Sequence, residues 1–151
     1  MGAKAVGAWP IIAVDVLDAK LELARKCGAT HVVNASATDP VVAVRDLTNG
    51  GVEHAFEAVG DENVIAQAFG SARRGGRAVC IGLTHPDKKV SLPALAFAGE
   101  EKSLLGSYMG MYQAGLLPVD LLTSRVIKLE EVNEGFDLLE RGQVARQVIR
   151  F

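Results

Sequence analysis

Cysteine is scarce in this sequence, and the two cysteines lie far apart. Neither Cys27 nor Cys80 has a second thiol or a histidine at the spacing of metal ligands. Neither a disulfide framework nor a zinc motif is therefore indicated, and both are interpreted as buried thiols. His31, His54 and His85 lack ligand spacing as well, which favours packing or surface roles for them.

Long apolar runs, a charge excess and a serine nucleophile are also missing. The apolar runs are shorter than the roughly 18 residues of a membrane-spanning helix, and the first residues lack a signal pattern. The formal net charge is -2, with acids and bases interleaved, so no basic face is available for nucleic acid or anionic membrane. The segment GSARRG lacks the second glycine of a nucleophile elbow. We therefore expect a cytoplasmic protein with neither a nucleic-acid nor a membrane partner.

What is present is an alternation of short runs rich in Val and Ile with segments of helical period. The predicted strands cover residues 11–15, 31–33 and 53–59 and the apolar run of GGRAVCIGL, which follows a predicted turn at its glycines. Three helices are predicted. The first ends at Gly28, and the second is capped by Asp39, has Pro40 at its first position and ends at Asn49. The third runs from Asp61 to Arg73 and Arg74. This alternation predicts an α/β fold with a doubly wound parallel sheet, whose ligands bind at the carboxyl ends of the strands.

The pattern changes after Gly82, and a boundary is predicted near Gly110. We predict an incomplete dinucleotide-binding domain over residues 1–110 and a C-terminal segment over residues 111–151. The second part has the pattern of a strand, an amphipathic helix over 130–141 that Gly142 ends, and a final strand.

Asp15 ends the first predicted strand and has two possible roles. An acidic residue at the end of the second strand of a dinucleotide fold binds the adenosine ribose and repels a 2'-phosphate, which favours NAD over NADP. The same residue can instead close a turn or cap the next helix, as Asp18 could. The glycine-rich phosphate turn should precede the acidic residue by about 20 residues, yet only 14 residues precede Asp15. The first strand and the phosphate loop are therefore expected to be absent.

Five segments carry a family resemblance, in the order GAKAVGAWPIIAVDVLDAKLELARKCGATHVVN, GGVEHAFEAVG, GGRAVCIGL, KSLLGSYMG and VNEGFDLLERGQVARQVIRF. Together they resemble the zinc-dependent alcohol dehydrogenases of the medium-chain dehydrogenase/reductase family, including the glutathione-dependent formaldehyde dehydrogenase branch. The resemblance implies a Rossmann-like doubly wound parallel sheet lacking its first strand. It also implies a C-terminal strand-helix-strand remnant of the catalytic domain.

The resemblance implies NAD as the cofactor and a set of residues that bind it. Asp15 and Lys20 match the residues at the adenosine ribose, and Arg146 matches the arginine that reaches the pyrophosphate. The segment lining the adenine and nicotinamide-ribose side is Ala58, Val59 and Gly60. The segment against the nicotinamide is Ile81, Gly82 and Leu83. The residues whose backbone groups hold the carboxamide are Ser107 and Met109.

The resemblance also shows what this sequence does not contain. The zinc ligands of the family, its proton relay and its phosphate loop have no counterpart, and Met111, Tyr112 and Gln113 stand where the family has a further helix. We therefore expect the cofactor-binding part of a truncated or internally deleted enzyme that transfers hydride between an alcohol or aldehyde and NAD. Alone, this chain should be inactive and bind NAD weakly at best.

Two functions of other classes stay open at this point. The family segment matching residues 98–109 pairs with its symmetry mate, so the chain could serve as a non-catalytic nucleotide-binding or association module that forms a homodimer. A methyltransferase-like domain also holds a ribose with an acidic residue at a strand end. However, VNEGFDLLERGQ and GSYMG have no counterpart in that class.

Overall fold

The computed structural model describes residues 1–107, 123–144 and 146–149. The elements, in chain order, are α1 (Gly2–Ala5), β1 (Ile12–Asp15), α2 (Asp18–Lys26), β2 (His31–Asn34), α3 (Pro40–Thr48), β3 (Val52–Glu57), α4 (Glu62–Ser71), β4 (Ala72–Cys80), α5 (Ala94–Gly99), β5 (Ser103–Gly106), β6 (Arg125–Ile127), α6 (Val132–Glu140) and β7 (Gln147–Ile149). A short 3-10 turn over Leu129–Glu131 leads into α6. None of the helices in these described ranges has the length and apolar character needed to cross a membrane. The predicted boundary at Gly110 and the junction at 111–113 lie outside the described residues.

Hydrogen bonds join the described strands into three sheets. These are β1 with β2, β3 with β4 and β5 in that order, and β6 with β7. The pairs β3–β4, β4–β5 and β6–β7 are parallel. The strand order of a doubly wound dinucleotide fold is 3-2-1-4-5-6, and removing its first strand leaves 3-2 and 4-5-6. The first two sheets match these two pieces, and β6, α6 and β7 form the strand-helix-strand remnant, which confirms the predicted fold class.

The chain divides into two compact units. Unit 1 consists of Met1–Val32 together with Gly110–Phe151, and unit 2 consists of Val33–Met109. Unit 2 is therefore a continuous stretch of chain, whereas unit 1 is assembled from two separate segments. The assignment of residues 1–110 and 111–151 to two domains stays a prediction.

The core of unit 2 joins its helices to its sheet. Phe69 of α4, Ala78 of β4 and Ala96 of α5 are buried together, with Leu92 and Leu104 packed against them. Burial of one large apolar side chain stabilises a fold by about 1.5–3 kcal/mol, so Phe69 is a principal anchor of α4. The packing holds β4 between β3 and β5 and thereby fixes where the three strands end.

Two predicted helix starts are confirmed. The Asp39 carboxylate accepts hydrogen bonds from the N–H groups of Val41 and Val42 at 2.8 and 3.0 Å, and Pro40 is the first residue of α3. The Asp61 carboxylate likewise caps α4 through two backbone N–H groups. Both aspartates satisfy donors that a helix leaves unpaired at its start.

The predicted end of the helix that starts after Asp61 is wrong. α4 ends at Ser71 and β4 starts at Ala72, so Arg73 and Arg74 lie in a strand. The glycine pair that was expected to form a turn lies within the same strand. Gly75 has φ +69°, and a Cβ on Gly76 would approach the carbonyl oxygen of Arg73 to 2.8 Å. The register between β3 and β4 is irregular here, so the glycines form a bulge.

Candidate cofactor site

The carboxyl ends of β3 and β4 bring six of the predicted site residues together in unit 2. Gly60, with φ +84°, lies close to residues 81–83 after β4. A Cβ on Gly60 would be 2.8 Å from the carbonyl carbon of Leu83. A Cβ on Gly82 would be 2.7 Å from the Cα of Gly60 and closer still to its nitrogen. Such distances leave no room for a side chain at either position. The segments 58–60 and 81–83 therefore form one unit of packed backbone, which we call the strand-end cluster.

The strand-end cluster presents apolar side chains to the surroundings. Val59 and Leu83 are 74% and 79% exposed, and Ile81 is 45% exposed. Ser107 follows β5 and donates its N–H to the carbonyl oxygen of Cys80 at 2.9 Å, so the next strand ends beside them. Met109 lies outside the described residues. Exposed apolar side chains beside backbone that lacks Cβ atoms suit a flat, partly apolar ligand.

Glu57 organises this cluster and was missed from the sequence. It is 1% exposed, and its Oε1 accepts hydrogen bonds from the N–H groups of Val59 and Gly60 at 2.5 and 2.6 Å. Its main-chain carbonyl accepts from the N–H groups of Ile81 and Gly82 at 2.7 and 3.2 Å. The available signal was a charge two residues after Ala55, on the same face of the strand as that buried alanine.

Cys80 lies at the end of β4, and its environment keeps it protonated. Burial raises the pKa of the Cys80 thiol above its ordinary value, and the negative charge of Glu57 raises it further. The thiolate is the reactive and metal-binding form of cysteine, so a raised pKa leaves less thiolate on Cys80 at neutral pH than an ordinary cysteine has.

Asp15 ends β1 in unit 1 and closes the turn into α2. Its Oδ1 accepts the N–H of Leu17 at 3.0 Å, and Leu17, rather than Asp15 or Asp18, is the N-cap residue of α2. Within the described ranges no hydrogen bond to the second carboxylate oxygen is found. Asp15 therefore has the structural role in the turn and an oxygen left for a ligand, so its two possible roles are compatible.

Lys20 borders a cavity of about 500 Å³ within unit 1. The cavity lies between the start of α2, at Leu17 to Lys20, and the turn that follows α6, at Arg141 to Val144. Gly142 has φ +66°, and a Cβ on it would be 2.9 Å from the Leu17 Cδ1 and 3.6 Å from the Lys20 Nζ. Glycine at this turn therefore leaves space for both side chains. Lys20 forms no ion pair with any described residue.

Arg146 is exposed just before β7. Its carbonyl oxygen accepts the N–H of Ser124 at 2.8 Å, and its guanidinium has no ion-pair partner in the described part of the chain. Neither Arg146 nor Asp15 lines the cavity beside Lys20. The structure therefore brings Lys20 together with the turn around Gly142 but does not gather the three charged residues into one lining.

The described residues do not fit the zinc ion that the family resemblance implies. In residues 1–107, 123–144 and 146–149, no group of three or more His, Cys, Asp or Glu side chains is placed to hold a metal ion. Both cysteines are free and half-buried.

Comparison with known proteins places these features in a family. Residues 1–121 match the zinc-binding dehydrogenase family. Alcohol dehydrogenase 1 of Hordeum vulgare is 34% identical over 165 positions, covering 99% of this chain and 43% of that protein. S-(hydroxymethyl)glutathione dehydrogenase of Escherichia coli is 32% identical, covering 99% of this chain and 45% of that protein. The chain thus spans less than half the length of these relatives.

A solved structure agrees with the sequence comparison. Benzyl alcohol dehydrogenase from Acinetobacter calcoaceticus superposes with a TM-score of 0.89 at 29% identity, covering 99% of this chain and 44% of that structure. The sequence alignments extend over more positions than the 151 residues of this chain, so the relatives carry residues within the aligned region that it lacks. These matches favour a dehydrogenase over the methyltransferase-like alternative. The chain belongs to the zinc-binding dehydrogenase family.

Proposed function

We propose that this chain is the cofactor-binding part of an NAD-dependent, zinc-containing alcohol dehydrogenase that transfers hydride between an alcohol and NAD. The observation that carries the proposal is the strand-end cluster, where backbone without Cβ atoms lies beside exposed Val59, Ile81 and Leu83. Support comes from the curated relatives, which are named as alcohol and S-(hydroxymethyl)glutathione dehydrogenases. The substrate of the whole protein would be a small alcohol or aldehyde, and its location would be the cytoplasm.

The charged residues of unit 1 would hold the adenosine side of NAD. The second oxygen of Asp15 would accept a ribose hydroxyl, while its negative charge would disfavour the 2'-phosphate of NADP. The Lys20 ammonium, which has no ion-pair partner in the described ranges, would contact the same ribose. The Arg146 guanidinium can bind a pyrophosphate through two parallel N–H groups.

The strand-end cluster of unit 2 would hold the nicotinamide side. Val59, Ile81 and Leu83 offer apolar contact to the ring, and Gly60 and Gly82 allow the backbone to approach it. Ala58 lines the same side, and backbone groups of Ser107 and Met109 would hold the carboxamide. Bound NAD would supply the hydride acceptor, and these residues would contact and orient its nicotinamide end.

The chain alone is proposed to bind NAD weakly and to lack alcohol oxidation. Calorimetric titration of the full chain should give a dissociation constant weaker than micromolar for NAD, and weaker again for NADP. A micromolar constant would show that the strand-end cluster and Asp15 suffice without a phosphate loop. Zinc-dependent oxidation of an alcohol above background by the purified chain would contradict the proposed inactivity.

A second candidate function, association through residues 98–109, is favoured by the position of β5. Among the described strands β5 pairs only with β4, and Leu105 on it is 45% exposed. Strand edges with free N–H and C=O groups favour pairing with a second chain. Light scattering at high concentration should therefore give a homodimer. Leu105→Lys should shift it to monomer, whereas the control Leu95→Lys, on an exposed residue of α5, should not.

A further inference from the structure

We infer that Glu57 is a positioning residue that holds both segments of the strand-end cluster in the geometry that receives the nicotinamide end of the cofactor. This inference rests on the proposed function for its ligand. Its structural basis is the set of four hydrogen bonds that Glu57 accepts. Two reach its carboxylate from Val59 and Gly60, and two reach its main-chain carbonyl from the second segment.

The side-chain bonds are of the strong, charge-assisted kind. A carboxylate that accepts backbone N–H groups forms shorter and stronger bonds than neutral partners do, and here the two distances are 2.5 and 2.6 Å. The bonds hold the N–H groups of Val59 and Gly60 toward the protein interior, while the Val59 side chain stays exposed. Because Gly60 rests on the backbone of Leu83, its position also limits that of the second segment.

Packing alone does not account for a glutamate at this position. The side chain is 1% exposed, and its Oε2 is buried without a hydrogen-bond partner among the described residues. A buried polar atom left unpaired costs about 1–3 kcal/mol, and an apolar residue would avoid that cost. The gain lies in the two turn N–H groups, which no aliphatic side chain could bind. Glu57 therefore serves the local shape of the cluster rather than the stability of the core.

Three substitutions of Glu57 test separately whether its acceptor oxygen, its negative charge and the length of its side chain are needed. Glu57→Gln keeps an acceptor oxygen at the same distance, Glu57→Asp keeps the charge but withdraws the carboxylate by one methylene, and Glu57→Leu removes the acceptor. The matched control is Glu53→Gln on the same strand, where the exposed carboxylate is paired with Arg73 at 2.8 Å. Each full-length variant is examined by amide hydrogen exchange at Val59 and Gly60, by thermal unfolding, and by calorimetric titration with NAD.

We expect exchange at Val59 and Gly60 to rise at least tenfold in Glu57→Asp and Glu57→Leu, with NAD affinity falling at least tenfold. Glu57→Gln, which keeps an acceptor oxygen but loses the charge, should change exchange and NAD affinity less than Glu57→Asp and Glu57→Leu do, and Glu53→Gln should change neither. Unchanged exchange at Val59 and Gly60 in Glu57→Asp would overturn the inference, as would an equal loss of NAD affinity in Glu53→Gln. If the parent chain itself fails to bind NAD, the proposed function fails, and the exchange rates alone decide the role of Glu57.

Discussion

The two regions proposed to hold the cofactor are built in different ways. The strand-end cluster of unit 2 is defined by backbone, with two glycines in contact and a buried glutamate holding the turns. The charged region of unit 1 is defined by side chains, and Asp15, Lys20 and Arg146 have no described ion-pair partners. The first region is shaped by its own packing before a ligand arrives, whereas the second supplies charges that a ligand would organise. Substitutions in the first should therefore change stability and binding together, and those in the second should change mainly binding.

Gly82→Ala should have the largest effect. Its Cβ would overlap the backbone of Gly60, so one segment must move, at a cost of about 3 kcal/mol, and NAD binding should be lost. Urea unfolding and calorimetry check both effects. Gly106→Ala is the matched control, because a Cβ there meets no atom within 4 Å. Equal stability of the two variants would show that the cluster is not rigid, and the contrast between the regions would fail.

Asp15→Asn should change ligand preference with little change in stability. The asparagine oxygen can still accept the N–H of Leu17, so the turn is kept, while the charge that repels a 2'-phosphate is removed. We expect the preference for NAD over NADP to fall about tenfold, because the side chain no longer repels the 2'-phosphate. Competitive titration with the two nucleotides measures it. If Asp15→Asn lowered the midpoint of unfolding as far as Gly82→Ala does, the proposed difference between the two regions would be contradicted.

Asp61→Ala should lower the midpoint of thermal unfolding through loss of the α4 cap. The N–H groups of Asn63 and Val64 hold the pKa of Asp61 below its ordinary value. The cap therefore contributes fully above the ordinary aspartate pKa of about 3.9, and its contribution is lost as the pH falls through the lowered value. Thermal unfolding across this acidic range should show the parent chain converging with the variant. Asp46→Ala, an exposed change within α3, serves as control.

The smallest expected effect is a shift in the pH dependence of alkylation of the Cys80 thiol. Because burial and Glu57 raise its pKa, its alkylation in a Cys27→Ser background should need a higher pH than that of an ordinary thiol. The small stabilisation linked to the protonated thiol is complete below the ordinary thiol pKa and is lost as the pH rises through the raised value. Alkylation rates measured against pH check the shift. Glu57→Gln should accelerate the reaction, and an unchanged rate would separate Cys80 from the charge of Glu57.

Local signals in the sequence predicted two helix starts and the end of the first strand well, whereas the strand predicted over residues 53–59 ends at Glu57. Asp39 before Pro40, and Asp61 after a glycine, are caps whose action depends only on neighbouring residues, and both were correctly predicted. The strand before Asp15 was predicted within one residue, Ile11–Asp15 against Ile12–Asp15. These features follow from chemistry within a few residues of the chain.

Features that depend on contacts across the sheet were missed. Arg73 and Arg74 carry the charge expected near the end of a helix, yet they lie in β4, whose bulge at Gly75 and Gly76 reflects the register with β3. Glu57 was overlooked because its importance comes from where the chain turns back toward it. The same limit applies to the site. Its residues were predicted from a family resemblance, while the reason for two glycines in contact became visible only in three dimensions.

The continuity of unit 2 has a consequence for how the chain folds during synthesis. All of its residues, Val33–Met109, are available once residue 109 has left the ribosome, whereas unit 1 must wait for the segment that starts at Gly110. Domains generally fold as units during translation, so unit 2 should gain its structure first, with the early segment Met1–Val32 still waiting for its later partner. During that interval the contacts open to β1 and α2 are those within residues 1–34, where β1 pairs with β2. The strand-end cluster therefore becomes available before the segment that contains Arg146.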